Sequence, residues 1–157
     1  MTTPELEFPF ARELQEQHDA LRAAVRWFQA EVEREQPTRA GERAEAREFL
    51  RVFREQLTQH FRFEELSGFG GGVGAHDPEL QRWTQELIRQ HRAFEERLDA
   101  LLARLDATGN DAGIPAALLT ELAAFFGALR RHDAEENALL LWISRGPTDF
   151  ARDTHGP

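Results

Sequence analysis

Residues 60–64 read His60-Phe61-Arg62-Phe63-Glu64, and residues 132–136 read His132-Asp133-Ala134-Glu135-Glu136. On a helix the first and fifth positions of each segment lie one above the other, so each segment offers an imidazole nitrogen and a carboxylate to a common point. Such a pair chelates a cation. The same spacing returns at His91 and Glu95, and another histidine, His18, stands without a partner near the N-terminus.

Outward from His60, the apolar residues Phe49, Phe53 and Leu57 lead into His60 and Glu64 at steps of three and four, the stripe of an amphipathic helix. Leu50, Phe61 and Phe63 widen that face, and the helix is expected over about residues 42–67. Phe10, Leu14, Leu21, Val25, Phe28 and Val32 continue the same period through His18, predicting a helix over about 10–34. Leu80, Trp83, Leu87, Phe94, Leu98, Leu101 and Leu105 do so through His91, over about 78–107. Leu118, Leu122, Phe125, Leu129, Leu139 and Ile143 do so through His132 and Glu136, over about 115–144. Each helix therefore has one histidine where a core side chain belongs.

The connectors are legible from their composition. Pro37 through Gly41 ends the first helix. Residues 67–78, SGFGGGVGAHDP, hold five glycines and form no regular structure. They read as a flexible connector, with a flap over a site as the alternative, and His76 within them reads as solvent-exposed. The stretch lacks the Gly-Lys-Ser/Thr ending of a nucleotide-binding loop. Asp77 and Pro78 have the pattern of an N-cap followed by the first helical residue, and Pro115 opens the fourth helix. The fold expected is all-α, an up-down-up-down four-helix bundle forming one domain over residues 1–145, with a short polar tail at 146–157 that carries His155.

Composition narrows the function classes. The 157 residues suffice for one domain with a proper core. They include no cysteine, which removes disulfides, zinc knuckles and a thiol nucleophile. All 19 basic residues are arginine, and against 28 acids they leave a net charge of -9, which argues against nucleic acid and anionic membrane surfaces as partners. Met1 to Phe10 carries Glu5 and Glu7 and no basic start of the kind a secretory signal has, and no apolar run could span a bilayer. A soluble, cytoplasmic protein is expected.

Buried acids need compensation, because an unpaired buried carboxylate costs several kcal/mol or is forced to protonate. A single histidine on a core stripe reads as a hydrogen-bonded core residue. Four of them, accompanied by Glu64, Glu95 and Glu136, read as metal ligands that meet near the middle of the bundle. Seven donors are too many for one ion, and two ions sharing bridging carboxylates fit the count. Mixed imidazole and carboxylate donors suit iron, with manganese possible, whereas zinc ordinarily takes four donors at one centre. Asp19, Glu65, Asp133 and Glu135 adjoin these residues in sequence and are expected to be outer partners or solvated. Phe61, Phe94, Phe125 and Trp27 are expected in the core, where they would keep the site dry. The Glu-x-x-His motif of ferritin-type di-iron bundles is absent from all four histidines.

The set His18, His60 with Glu64, His91, and His132 with Glu136 resembles the hemerythrin-like (HHE cation-binding) family over about residues 10–144. The resemblance implies a non-haem di-iron centre with an oxo or hydroxo bridge. Glu64 and Glu136 would bridge, His18 and His60 would serve one iron, and His91 and His132 the other. It implies a protein that binds or senses dioxygen, and the open position is expected on the iron of His18 and His60, since Glu95 would help fill the other. A dimetal oxidase, oxygenase or peroxide-consuming enzyme is the alternative, with dioxygen or peroxide as partner in either case. A metal-free structural bundle is the third reading. The chain departs from the family's oxygen carriers at Glu95, where they have histidine, and at Asn137, where they have aspartate. If Glu95 binds, its added charge favours the ferric state.

Overall fold

The computed structural model describes residues 9–33, 42–66, 77–107 and 113–145, which form four helices and no strand. They are α1 (Pro9–Glu33), α2 (Glu42–Glu64), α3 (Pro78–Asp106) and α4 (Ala116–Arg145). These bounds follow the apolar stripes to within a few residues. Residues 65 and 66 follow α2 in a wider π turn. The side chains of Phe10, Val32 and Ile143, the glycine-rich stretch 67–76 with His76, and the tail 146–157 with His155 lie outside the described residues.

Local chemistry explains where the helices start. The Asp77 carboxylate accepts from the backbone N–H of Glu79 at 2.9 Å and of Leu80 at 3.2 Å, satisfying two of the four donors that the first turn of α3 leaves free. Pro78, whose ring has no N–H to satisfy, takes the first helical place. Ahead of α4, the Pro115 carbonyl accepts from the N–H of Leu118 and Leu119, so the proline caps the helix from just outside it.

Side-chain pairs between neighbours fix the topology. From α2 to α3 they run Arg47 to Asp106, Arg54 to Asp99, Thr58 to Glu95 and Glu65 to His91, so one sequence rises as the other falls. From α3 to α4 they run Arg104 to Glu121 and Gln90 to His132. Phe28 meets Phe49 while Gln17 meets His60, and Phe28 meets Phe126 while Arg22 meets Asp133, which makes α1 antiparallel to both α2 and α4. Each helix thus has two antiparallel neighbours in a closed square.

Hydrophobic burial fills the square in two unequal parts. The larger cluster includes Val25, Phe28, Leu50, Phe53, Leu98, Leu105, Leu122, Phe125 and Phe126. The smaller holds Leu80, Leu87 and Leu139, with Trp83, Ile88 and Trp142 against it. Along α4 the larger cluster ends at Leu129 and the smaller begins at Leu139, and His132 and Glu136 fall between them. A polar layer therefore crosses the bundle. Trp27, expected in the core, is instead 51 % exposed and packs over Phe49, because one residue on along the helix Phe28 already fills the inward place.

Candidate metal centre

Six of the seven expected ligands meet in that layer. His18, His60, His91, His132, Glu64 and Glu136 are all buried, and Glu64 is completely so. They make two overlapping groups. His18, His60, Glu64 and Glu136 form one, and Glu64, His91, His132 and Glu136 the other, with the offered atoms of each group within 4.8 Å of one another. Both carboxylates belong to both groups.

Every histidine points Nε2 inward. Glu64 Oε1 lies 3.2 Å from His18 Nε2 and 3.1 Å from His60 Nε2, while its Oε2 lies 3.4 Å from His91 Nε2. Glu136 mirrors this, with Oε1 at 3.1 Å from His91 and 2.8 Å from His132, and Oε2 at 3.5 Å from His18. Each acid therefore turns one oxygen to each group, as a bridging ligand must.

Every Nδ1 faces an acceptor from a neighbouring segment, three of them in hydrogen bonds and His18 in an ion-pair contact. His60 Nδ1 meets Gln17 Oε1 at 3.0 Å, His91 Nδ1 meets Glu65 Oε1 at 3.0 Å, His132 Nδ1 meets Gln90 Oε1 at 2.8 Å, and His18 Nδ1 meets Asp133 Oδ1 at 3.2 Å. The braces run α1 to α2, α2 to α3, α3 to α4 and α4 back to α1. They close a ring. The amides are oriented in turn, since Gln17 donates through Nε2 to Glu13 and Gln90 through Nε2 to Glu135. With only acceptors at Nδ1, the proton of each neutral imidazole belongs there and the lone pair of Nε2 faces the centre.

That arrangement demands positive charge. Lone pairs and carboxylate oxygens facing each other at about 3 Å repel unless a proton or a metal ion lies between them. Two of the buried atoms, Glu64 Oε2 and His132 Nε2, have no hydrogen bond at all. His132 Nε2 is close enough to Glu136 at 2.8 Å, but the angle is wrong for a hydrogen bond. The donor set, two imidazoles and two shared carboxylates per group, fits a pair of divalent or trivalent cations. The same demand shows in the titration of the metal-free side chains. Burial acts to lower the pKa of His18, but the carboxylates of Glu136 and Glu64 and the charge of Asp133 outweigh it and hold the group up at about 9. For His91, burial is likewise overcome by Glu136 and Glu65, and its pKa is raised. Burial would raise the Glu136 carboxyl, yet the imidazoles of His132, His18 and His91 beside it hold it far below the usual carboxylate range.

Aromatic rings dry the layer. Phe61 stacks on His91 with centroids 4.0 Å apart and planes 5° from parallel, and meets His132 edge-on, as does Phe94. Phe125 lies behind Phe94.

Glu95 is not brought to this centre. It is only partly buried, and the Thr58 hydroxyl donates to its Oε1 at 2.7 Å. Because α3 descends as α2 rises, one turn beyond His91 is level with Thr58, a turn and a half below Glu64. The i+4 step that carries Glu64 and Glu136 into the layer carries Glu95 out of it. Asp133 and Glu65, expected as outer partners or solvated, hold Nδ1 atoms. Gln17 and Gln90 do the same and were not singled out in sequence; the weak signal for them is a glutamine directly before His18 and His91, which Gln59 before His60 shares while staying exposed.

A cavity of about 310 Å³ opens between α1 and α4 and reaches His18, His60, His132 and Glu136. A second hollow, about 300 Å³ between α3 and α4, reaches His132 from its outer side. No described helix is long and apolar enough to cross a membrane. A family model described as "Hemerythrin HHE cation binding domain" matches residues 10–142. Comparison with curated proteins and with solved structures gave no match.

Proposed function

Because the chain belongs to the hemerythrin HHE cation-binding family, we propose that it is a non-haem di-iron protein that binds or senses dioxygen. The observation carrying this reading is that all four Nε2 atoms aim at two shared carboxylates while all four Nδ1 atoms face acceptors from a neighbouring segment. A purely structural histidine cluster has no need of one uniform tautomer, nor of two unbonded buried atoms. Two iron ions held here would supply a redox pair accessible to dioxygen, and manganese could take their place with the same donors.

The protein's own residues set how such a pair would behave. Each position receives two imidazoles and a share of Glu64 and Glu136. With Glu95 held by Thr58, no third carboxylate favours the oxidised state, which supports reversible binding over a centre locked as ferric. Asp133 and Glu65 increase the basicity of His18 and His91, and the two glutamines hold His60 and His132 without added charge. Phe61 and Phe94 pack on His91 and His132. Since both positions receive the same donors, the preference for an open place beside His18 and His60 rests on the cavity, whose walls include both of those histidines but only His132 of the other pair.

The test is metal analysis of protein purified without added metal, joined to absorption spectra. About two irons per chain are expected, with a near-ultraviolet band that changes when dioxygen is added to the reduced protein and returns when it is removed. Metal without return of the spectrum would favour the second reading, a dimetal oxidase, oxygenase or peroxide-consuming enzyme. The cavity gives that reading its support, being larger than dioxygen requires. Absence of bound metal would leave the metal-free structural bundle.

A further inference from the structure

The cavity between α1 and α4 carries a pattern that dioxygen does not explain. At about 310 Å³ it has room for about ten water-sized groups of roughly 30 Å³ each, and dioxygen has two atoms. Its sides are the buried apolar residues Leu21, Val25, Leu57, Phe61 and Leu129, and its floor is the imidazole edge of His18 and His60. Its rim is basic, in a chain whose net charge is -9. Three arginines, Arg22, Arg26 and Arg130, border it. Arg22 is committed: its Nε and NH2 reach Asp133 at 2.8 and 2.7 Å, and its NH1 reaches Asp19. Arg26 and Arg130 are exposed and have no ion pair among the described residues.

We infer that this cavity binds an amphiphilic organic monocarboxylate of about ten non-hydrogen atoms, its head on Arg26 and Arg130 and its apolar tail against His18 and His60. Apolar walls of this extent select an apolar body, and a pair of exposed guanidiniums with no ion pair among the described residues selects an anionic head through charge-assisted hydrogen bonds. The orientation follows from the lining. The guanidiniums of Arg26 and Arg130 stand at the exposed rim and the walls inward of them are apolar, so the head stays at the rim. The carbon farthest from the head is then the one presented to the metal layer. What lies at the floor rests on the dimetal reading, but the binding of the anion does not.

Calorimetric titration of the protein as isolated, with metal content measured on the same sample, tests this with octanoate, octanol and octylammonium. Octanoate should bind about tenfold or more tighter than octanol, and octylammonium should not bind. The double variant Arg26→Gln with Arg130→Gln, both on the surface where folding is not at stake, should lose that advantage while binding octanol as before. Equal affinities for octanoate and octanol, or an unaffected double variant, would overturn the proposal. In protein loaded with manganese, the proton resonance of the octanoate methyl should broaden more than that of the methylene next to the carboxylate; the reverse order overturns the orientation. Octanoate binding by a preparation that never takes up metal would sink the dimetal reading alone, and metal uptake without octanoate binding would sink this one alone.

Discussion

At the scale of single residues, His18 shows most directly what the layer lacks when no cation is present. Its folded pKa of about 9 stands above the ordinary 6.5, so the protonated form is the one that folding stabilises. Its contribution, about 3 kcal/mol from the size of the shift, is complete below about pH 6.5 and disappears as the pH rises through about 9. His91, also raised, adds in the same direction. Glu136, held low, contributes on the acid side and cannot produce an alkaline loss. Chelator-treated protein should therefore lose stability to urea between pH 6.5 and 9.5, and metal-loaded protein should lose much less, because bound cations replace those protons. An alkaline loss of the same size in both forms would mean that the imidazoles do not face the cations. Glu95 gives the complementary test. Glu95→Gln should retain the metal content of the parent protein, whereas Glu64→Gln, which alters an oxygen facing both groups, should lower it; metal analysis of the two variants decides between them.

At the scale of the helix, the stripes already placed one histidine per helix on the inward face, and the start of α3 was readable from Asp77 and Pro78. Periodicity specifies which way a residue faces. It does not specify its level against a neighbour, and this is why Glu95 shares its spacing with Glu64 and Glu136 but not their position. The braces were less legible for a related reason: Gln17 and Gln90 sit beside the stripes, and their role arises only from what antiparallel packing sets opposite them. Trp27 shows the same limit, since Phe28 next to it takes the inward place. The ring of braces makes a prediction specific to each pair of helices. Gln90→Leu leaves His132 Nδ1 without its acceptor, and Gln17→Leu does so for His60. Each substitution should weaken uptake of one metal equivalent by roughly 10- to 100-fold while leaving helix content by circular dichroism unchanged. Equal loss of both equivalents from either variant would show that the braces act on the bundle as a whole and not on one imidazole each.

For the whole molecule, the question is whether the polar layer serves the fold or the fold serves the layer. The layer separates the two hydrophobic clusters and places two carboxylates and four imidazoles where hydrocarbon would otherwise be continuous. Without cations it keeps charge out of water and leaves two atoms unbonded, so it opposes folding; burial in the larger cluster, with Leu50, Leu98, Leu105, Leu122, Phe125 and Phe126 almost wholly enclosed, outweighs that cost. Replacing a buried ionic group entirely by hydrocarbon of similar volume is often neutral or stabilising by about 1–4 kcal/mol. Substituting leucine at His18, His60, Glu64, His91, His132 and Glu136 together should join the clusters into one core. It should give a helical protein that takes up no metal and melts above the chelated parent by roughly 2 to 15 °C. Gln17, Glu65, Gln90 and Asp133 are only partly buried and can turn to water once the imidazoles are gone. A leucine variant that melts below the chelated parent, or does not fold, would mean that the layer's hydrogen bonds specify the helix register, and stability would then have to be counted among the reasons these six residues are polar.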